Sequence, residues 1–139
     1  MLFRSELLAE REAGRADATV ASQVEAALGV ALAAGPLPDG LVIAYEPVWA
    51  IGTGKVARGA DAAAIAATIR STVAGLVSPA AAEALPILYG GSVTSASCAE
   101  FLAEPGIDGV LVGGASLKPD EMAGIVARAA ATARERGAA

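Results

Sequence analysis

Short apolar runs alternate along the chain with longer segments whose apolar residues recur every three or four positions. The runs occupy 41–44, 86–89 and 109–112, and continuous apolar runs of this length are typical of strands buried on both faces. The longer segments between and around them predict amphipathic helices at 17–34, 61–76, 95–103 and from 119 onward. Helices alternating with strands predict parallel strands joined by right-handed crossovers.

Apolar stripes and end signals support these helices. The first has Val20, Val24 and Leu28 on one face, and Asp61 stands where a capping residue would begin the second. The last begins at a proline, which suits a first helical turn, and its predicted buried stripe is Met122, Ile125, Val126 and Ala129. Two architectures fit this order of elements: a small open α/β sheet, or part of an eight-stranded barrel. The pattern alone leaves both open.

The candidate chemistry lies where the strands end. Glu46 follows the first run, Gly90-Gly91-Ser92 follows the second, and Gly113-Gly114 follows the third. The carboxyl ends of parallel strands meet at one edge, which is where such folds bind ligands. Glycines allow the backbone to approach an oxyanion closely, so its amides can act as donors. The three ends together predict a phosphate site beside a carboxylate base, although each glycine pair alone is as consistent with an ordinary turn.

Residues 45–55 read Tyr-Glu-Pro-Val-Trp-Ala-Ile-Gly-Thr-Gly-Lys, and this segment closely resembles the catalytic glutamate and closing loop of the triosephosphate isomerase family. The motifs at 89–92 and 113–114 resemble that family too. Of the two architectures, the resemblance favours the barrel over the small open sheet. It implies the last three parallel strands and four helices of a partial (β/α)8 TIM barrel. It also implies interconversion of dihydroxyacetone phosphate and glyceraldehyde 3-phosphate through an enediolate, with neither metal nor cofactor.

The family's residue roles transfer to matching positions of this sequence. Glu46 corresponds to the base that moves the carbon-bound proton. The residues that match the substrate phosphate site are Gly52, Ser92, Gly113 and Gly114. The lid and its hinges match Pro47, Val48, Trp49, Ala50, Ile51, Thr53, Gly54 and Lys55. Tyr89 matches a residue that hydrogen-bonds the closed lid.

Composition narrows the remaining function classes. The 139 residues are one domain by length, and a net charge of −5 argues against nucleic acid or an anionic membrane as partner. Cys98 is the only cysteine, which excludes an internal disulfide, and the apolar runs are too short for a signal peptide or a membrane span. We therefore expect a cytoplasmic protein. The chain has no histidine, and its only lysines are Lys55 and Lys118.

The resemblance begins at about Glu6 and covers only the family's second half. The family's first five strands, which carry an asparagine, a lysine and a histidine of the active site, have no counterpart here. We expect a truncated reading frame in which residues 1–5 are a non-native start, and we expect the chain alone to be inactive. The alternative is a non-catalytic phosphate-binding half-barrel that assembles with a partner chain. Another phosphate-binding barrel enzyme, such as an aldolase, is a weaker reading, because the strands carry no Schiff-base lysine or metal ligands. The full-length family is homodimeric, and the resemblance leaves open whether this chain associates.

Overall fold

The computed structural model describes residues 2–51 and 57–137, and the side chains of residues 2–4 lie outside that description. Its sheet has four strands: β1 (Leu2–Arg4), β2 (Ile43–Glu46), β3 (Ile87–Tyr89) and β4 (Gly109–Val110). They lie side by side in chain order, and each neighbouring pair is parallel. The parallel α/β prediction is therefore confirmed. The sheet has one strand more than the three predicted, because residues 2–4, expected to be a non-native start, pair with β2.

Six α-helices accompany the sheet. They are α1 (Leu8–Glu12), α2 (Ala16–Ala34), α3 (Gly59–Leu76), α4 (Pro79–Ala84), α5 (Cys98–Ala103) and α6 (Pro119–Gly137), and two 3₁₀ turns cover Val48–Ala50 and Gly114–Leu117. The four predicted helices correspond to α2, α3, α5 and α6. The additional helices α1 and α4 contain five and six residues, too few to show a helical period in the sequence. No helix within the described ranges combines the length and apolar character needed to cross a bilayer.

The core lies between the sheet and the helices. Side chains alternate between the two faces of a strand, and on the helix-facing side Ile43, Tyr45, Ile87 and Tyr89 are all buried. Helix α2 contributes the predicted stripe of Val20, Val24 and Leu28, each fully buried, and α3 contributes Ile65, Ile69 and Val73. The opposite face of the sheet, which holds Glu46, Leu88 and Leu111, is covered less completely. This uneven covering leaves one side of the sheet accessible at its carboxyl end.

The predicted stripe of α6 is only partly correct. Ile125 is buried, and Met122 and Ala129 are half-buried, but Val126 is 55% exposed. Val126 lines an open groove between α6 and β4. The second buried residue of α6 is Thr132.

Asp61 stabilises the start of α3 from inside the helix. The helix begins at Gly59, two residues earlier than predicted, so Asp61 occupies its third position and accepts a hydrogen bond from the Arg58 amide at 3.3 Å. Gly59 donates its own amide to Glu100 at 2.7 Å, which fixes the start of α3 against α5. A side chain on Gly59 would bring its Cβ within 2.8 Å of the Glu100 carbonyl oxygen, so only glycine fits this approach.

Arg70 connects the segments that lead into the amino-terminal ends of β3 and β4. One guanidinium nitrogen, Nη1, donates to the carbonyls of Ala82, Glu83 and Leu85, and Nη2 donates to Asp108 at 2.8 Å. The Asp108 carboxylate also accepts the amide of Ile87 at 2.8 Å. This network joins α3, the segment entering β3 and the segment entering β4, on the side of the sheet away from Glu46.

We predict that Arg70→Ala lowers the free energy of unfolding by about 2–3 kcal/mol, because it removes several hydrogen bonds to a charged group. Arg134→Ala is the matched control: Arg134 is an exposed arginine of α6, and its loss should cost no more than about 0.5 kcal/mol. Urea denaturation of both variants measures the difference. Equal stability of the two would contradict a structural role for the Arg70 network.

Candidate active site

The carboxyl ends of β2, β3 and β4 meet at one cleft. The parallel register places Tyr45 beside Tyr89 and Tyr89 beside Val110, so the segments that follow these residues leave the sheet together. The cleft has a volume of about 720 Å³. Five of the predicted site residues, Glu46, Ile51, Ser92, Gly113 and Gly114, line it. Its other lining residues are Gly90, Gly91, Val93, Thr94, Leu111, Val112, Ala115, Lys118 and Glu121.

Glu46 is the last residue of β2, and its side chain is half-buried in the cleft wall. Its backbone carbonyl accepts hydrogen bonds from the amide and the hydroxyl of Ser5 at 3.0 and 3.1 Å. Its side chain lies against Gly90, where an added Cβ would come within 2.8 Å of the Glu46 Cγ. The carboxylate is therefore mounted on a paired strand and has room because its neighbour on β3 has no side chain.

The glycines at the end of β4 leave open space above the backbone. A Cβ added to Gly113 or Gly114 would meet no atom of the other described residues within 4 Å. The 3₁₀ turn Gly114–Leu117 starts at this point, and Ser116 donates its hydroxyl to the Gly113 carbonyl at 2.7 Å. Lys118 is exposed and also lines the cleft. Open backbone beside a cation can accommodate an anionic group.

Ser92 joins the cleft to the segment after Glu46. Its hydroxyl donates to the Ala50 carbonyl at 2.9 Å, and the side chain is exposed at the cleft wall. Of the predicted lid and hinges, Pro47, Val48, Trp49, Ala50 and Ile51 are described: the 3₁₀ turn covers Val48–Ala50, and Trp49 and Ala50 are buried. The predicted phosphate ligand Gly52 and the predicted lid residues Thr53, Gly54 and Lys55 lie outside the described residues.

A buried carboxylate beside this hinge has no counterpart among the predicted site residues. Glu6 is fully buried and accepts three hydrogen bonds: from the Ser5 hydroxyl at 2.6 Å, the Tyr45 hydroxyl at 2.9 Å and the Trp49 indole nitrogen at 2.7 Å. Burial, and then the negative charge of Glu6, raise the pKa of Tyr45. The partners Tyr45 and Trp49 lie 39 and 43 residues away in sequence, so no local pattern could have identified Glu6.

Arg11 connects the two flanks of the segment 52–56. Its guanidinium carbon lies 4.6 Å from the centre of the Trp49 ring, and its Nη2 forms an ion pair with Asp61 at 2.8 Å. Burial acts to raise the pKa of Asp61, but the hydrogen bonds and charges of Arg11 and Arg58 outweigh it and lower that pKa. One cation of α1 therefore contacts both the turn that precedes the segment and the helix that follows it.

Tyr89 is fully buried, with its ring stacked on Phe101 at 3.8 Å between centroids. Its hydroxyl has no hydrogen-bond partner within the described ranges. Burial raises the pKa of Tyr89 to about 12, and the charges of Glu100 and Asp61 act in the same direction. A buried hydroxyl without a partner is uncommon, and here it lies at the position that the sequence analysis assigned to lid closure.

Comparisons with known proteins were consistent with one another. A family model described as triosephosphate isomerase matches residues 4–129. The triosephosphate isomerase of Roseiflexus sp. (strain RS-1) is 52% identical over 120 residues, which cover 84% of this chain and 45% of the relative. The triosephosphate isomerase of Lacticaseibacillus casei (strain BL23) is 52% identical over 118 residues, covering 83% of this chain and 45% of the relative.

The triosephosphate isomerase of Halorhodospira halophila (strain DSM 244 / SL1) is 48% identical over 130 residues, covering 94% of this chain and 51% of the relative. The chain thus spans about half the length of the curated relatives it matches. The match identifies the four-stranded sheet as part of a TIM barrel and confirms that reading over the small open sheet.

We predict that Glu6→Ala lowers the free energy of unfolding by about 2–4 kcal/mol, because the buried Tyr45 and Trp49 donors lose this acceptor. Glu6→Gln should cost less, since its amide oxygen can still accept from both. Trp49 is the only tryptophan, so its fluorescence reports directly on this cluster during urea denaturation. Wild-type stability and emission in Glu6→Ala would show that the carboxylate is dispensable.

We also predict that the fold loses stability at high pH. In the folded chain the pKa values of Tyr45 and Tyr89 lie above the unfolded value of about 10. The contribution of their neutral hydroxyls to the free energy of unfolding is therefore complete below pH 10. It decreases as the pH rises toward 12, the folded pKa of Tyr89. Tyrosinate absorbance and loss of far-ultraviolet ellipticity should appear together, and at higher pH in Tyr89→Phe. Tyrosinate absorbance near pH 10 with an intact fold would contradict the burial of both hydroxyls.

Proposed function

The chain belongs to the triosephosphate isomerase family, and from that premise we propose that its cleft is the base and phosphate half of a triose phosphate isomerase site. In the proposed reaction the Glu46 carboxylate removes a proton from the hydroxymethyl carbon of dihydroxyacetone phosphate. The electron pair of the broken C–H bond forms an enediolate. Return of the proton to the neighbouring carbon, together with transfer of the hydroxyl proton from one enediolate oxygen to the other, gives glyceraldehyde 3-phosphate, so no atom is gained or lost overall.

One observation supports this proposal above the others. Glu46 lies in the same cleft as Ser92, Gly113 and Gly114, although these residues are separated by up to 68 positions in sequence. A base fixed on a strand can reach the carbon of a small substrate only if the phosphate is held at a constant distance from it. Backbone amides at the open glycines, with Lys118 nearby, provide neutral and cationic groups for a phosphate dianion.

Trp49 and the residues around it would form the first hinge of a lid that includes Gly52, Thr53, Gly54 and Lys55. The contacts of Glu6 and Arg11 with Trp49 support this role, because they fix the hinge on its inner side. The buried Tyr89 hydroxyl would donate to the lid or accept from it on closure. Excluding water in this way would strengthen the electrostatic contacts of Glu46 with its substrate.

The carbonyl oxygen of the substrate also needs a group that stabilises its developing negative charge. The chain contains no histidine and only two lysines, and loss of such a donor typically reduces the rate by about a hundred- to a thousandfold. We propose that this group comes from the half of the isomerase that this chain does not match in its relatives, and that the whole protein is a cytoplasmic homodimer. This chain alone would bind phosphate without significant turnover.

The open backbone at Gly114 provides a test. We predict that Gly114→Ala weakens the binding of inorganic phosphate about tenfold, because its methyl group enters the cleft where an oxyanion would lie. The fold should be unaffected, since that methyl group meets nothing within 4 Å in the part of the chain that the structure describes. Isothermal titration calorimetry of the 139-residue chain measures the affinity.

Gly29→Ala is the matched control. Gly29 is an exposed glycine in α2, and its added methyl group also meets no atom within 4 Å. This variant should bind phosphate as the parent chain does. Equal affinity of both variants and the parent, or no measurable binding by the parent, would contradict the proposed phosphate site.

A further inference from the structure

Both edges of the sheet are open in the described structure. Strand β1 pairs only with β2, and β4 pairs only with β3. Open parallel edges expose backbone donors and acceptors that favour pairing with another strand. The edge strands contain only three and two residues, so the flanking helices must supply most of the contact area with any partner.

The number of strands in the sheet is half the number in a closed barrel. A closed parallel barrel of this class has eight strands, and the described sheet has four in unbroken order. Rotation by half a turn about an axis parallel to the strands preserves strand direction. Such a rotation places β4 of one copy beside β1 of the other at both seams, so every open edge gains a parallel neighbour.

Exposed apolar side chains lie along both open edges. At the β1 edge, Leu7 and Val30 are 56% and 76% exposed, and at the β4 edge Val126 is 55% exposed. Beside β4 a groove of about 370 Å³ is lined on its α6 side by Met122, Val126, Ala129 and Ala133. Apolar surface of this kind is a typical mark of an interface.

The two helix flanks involved are exposed in the part of the chain that the structure describes. Helix α2 is joined to α3 by the hydrogen bond between Thr68 and Asp17, and Val30 lies on nearly the opposite side of α2. Helix α6 is joined to the α5 side by the bond between the Ser95 amide and Glu121, which leaves the flank of Val126 and Ala133 free. Arg136 also lines the groove, but its guanidinium is bonded to the carbonyls of Leu102 and Ile107.

The exposed residues Val30 and Ala133 occupy matching positions along their two helices. Helix α2 follows β1 after the short helix α1, and α6 follows β4 after a 3₁₀ turn. Val30 and Ala133 each lie fourteen residues after the first residue of their helix. In the rotated pair, Ala133 of one copy therefore faces Val30 of the other.

From these observations we propose that two copies of this 139-residue chain close an eight-stranded parallel barrel. In this dimer, β4 of each copy pairs with β1 of the other, and α6 packs on α2 across both seams. The proposal goes beyond the isomerase function, because a barrel made of two identical halves has two Glu46 carboxylates at its mouth and no histidine. It therefore predicts assembly without turnover.

Light scattering coupled to size-exclusion chromatography tests the assembly. We predict a mass of twice 13.6 kDa for the parent chain. Ala133→Glu should halve the observed mass at the same concentration, since it places a charge in each apolar seam. Ala127→Glu is the matched control: Ala127 is exposed on α6 and lies on the far side from the groove, so this variant should remain dimeric.

A second variant separates this geometry from a loss of folding. Adding Val30→Lys to Ala133→Glu should restore the dimer, because the new lysine of one copy faces the new glutamate of the other. Far-ultraviolet circular dichroism confirms that each variant is folded. The mass does not depend on phosphate binding, so failure of this proposal and failure of the proposed function are distinguishable.

Three results would overturn the proposal. The parent chain could be monomeric alone and form a complex only with the remaining half of a relative such as the Roseiflexus isomerase. Its dimer could survive Ala133→Glu unchanged. The double variant could be folded and yet remain monomeric.

Discussion

The parallel register of β2, β3 and β4 is the constraint on which the candidate site depends. It brings Tyr45, Tyr89 and Val110 to one level across the sheet, so the segments that follow them open into one cleft. The register requires small residues where the strands approach. A Cβ on Gly90 would press on the Glu46 side chain, and one on Gly109 would come within 2.8 Å of Leu88. Gly90, which allows β2 and β3 to pair in this register, therefore also leaves room in the cleft beside Glu46.

Two polar networks fix this sheet at opposite ends. Arg70 and Asp108 join the segments that enter β3 and β4, and they keep the amino-terminal ends of these strands in place. At the other end, Glu6 and Arg11 contact Trp49 from residues that precede α2. The short amino-terminal segment thus does more than form one edge of the sheet. It also supplies the carboxylate of Glu6 and the cation of Arg11, which position the turn after Glu46. These contacts hold the turn at Trp49 in place beside Glu46. Such an arrangement is consistent with a carboxylate base on a rigid strand next to a hinge.

Much of this arrangement could be predicted from the sequence. The apolar runs and helical segments predicted β2, β3, β4, α2, α3, α5 and α6, because their patterns are set by local residues. Strand β1 was missed, since three residues carry no period, and its pairing with β2 joins segments about 40 residues apart. Glu6 was missed for the same reason, because its partners are distant in sequence. Val126 was expected to be buried but is 55% exposed, because a helical period does not show how far around the helix the buried face extends.

The incomplete barrel explains both what the chain contains and what it lacks. It has a carboxylate beside an open, glycine-lined cleft but no histidine, and it spans about half the length of the curated relatives it matches. The most direct test of this account is a coupled isomerase assay on the chain mixed with the remaining half of the Roseiflexus relative. We expect turnover only in the mixture, reduced about a hundredfold or more by Glu46→Gln and unchanged by Glu25→Gln, which alters an exposed glutamate of α2. Turnover that survives Glu46→Gln would show that Glu46 is not the base.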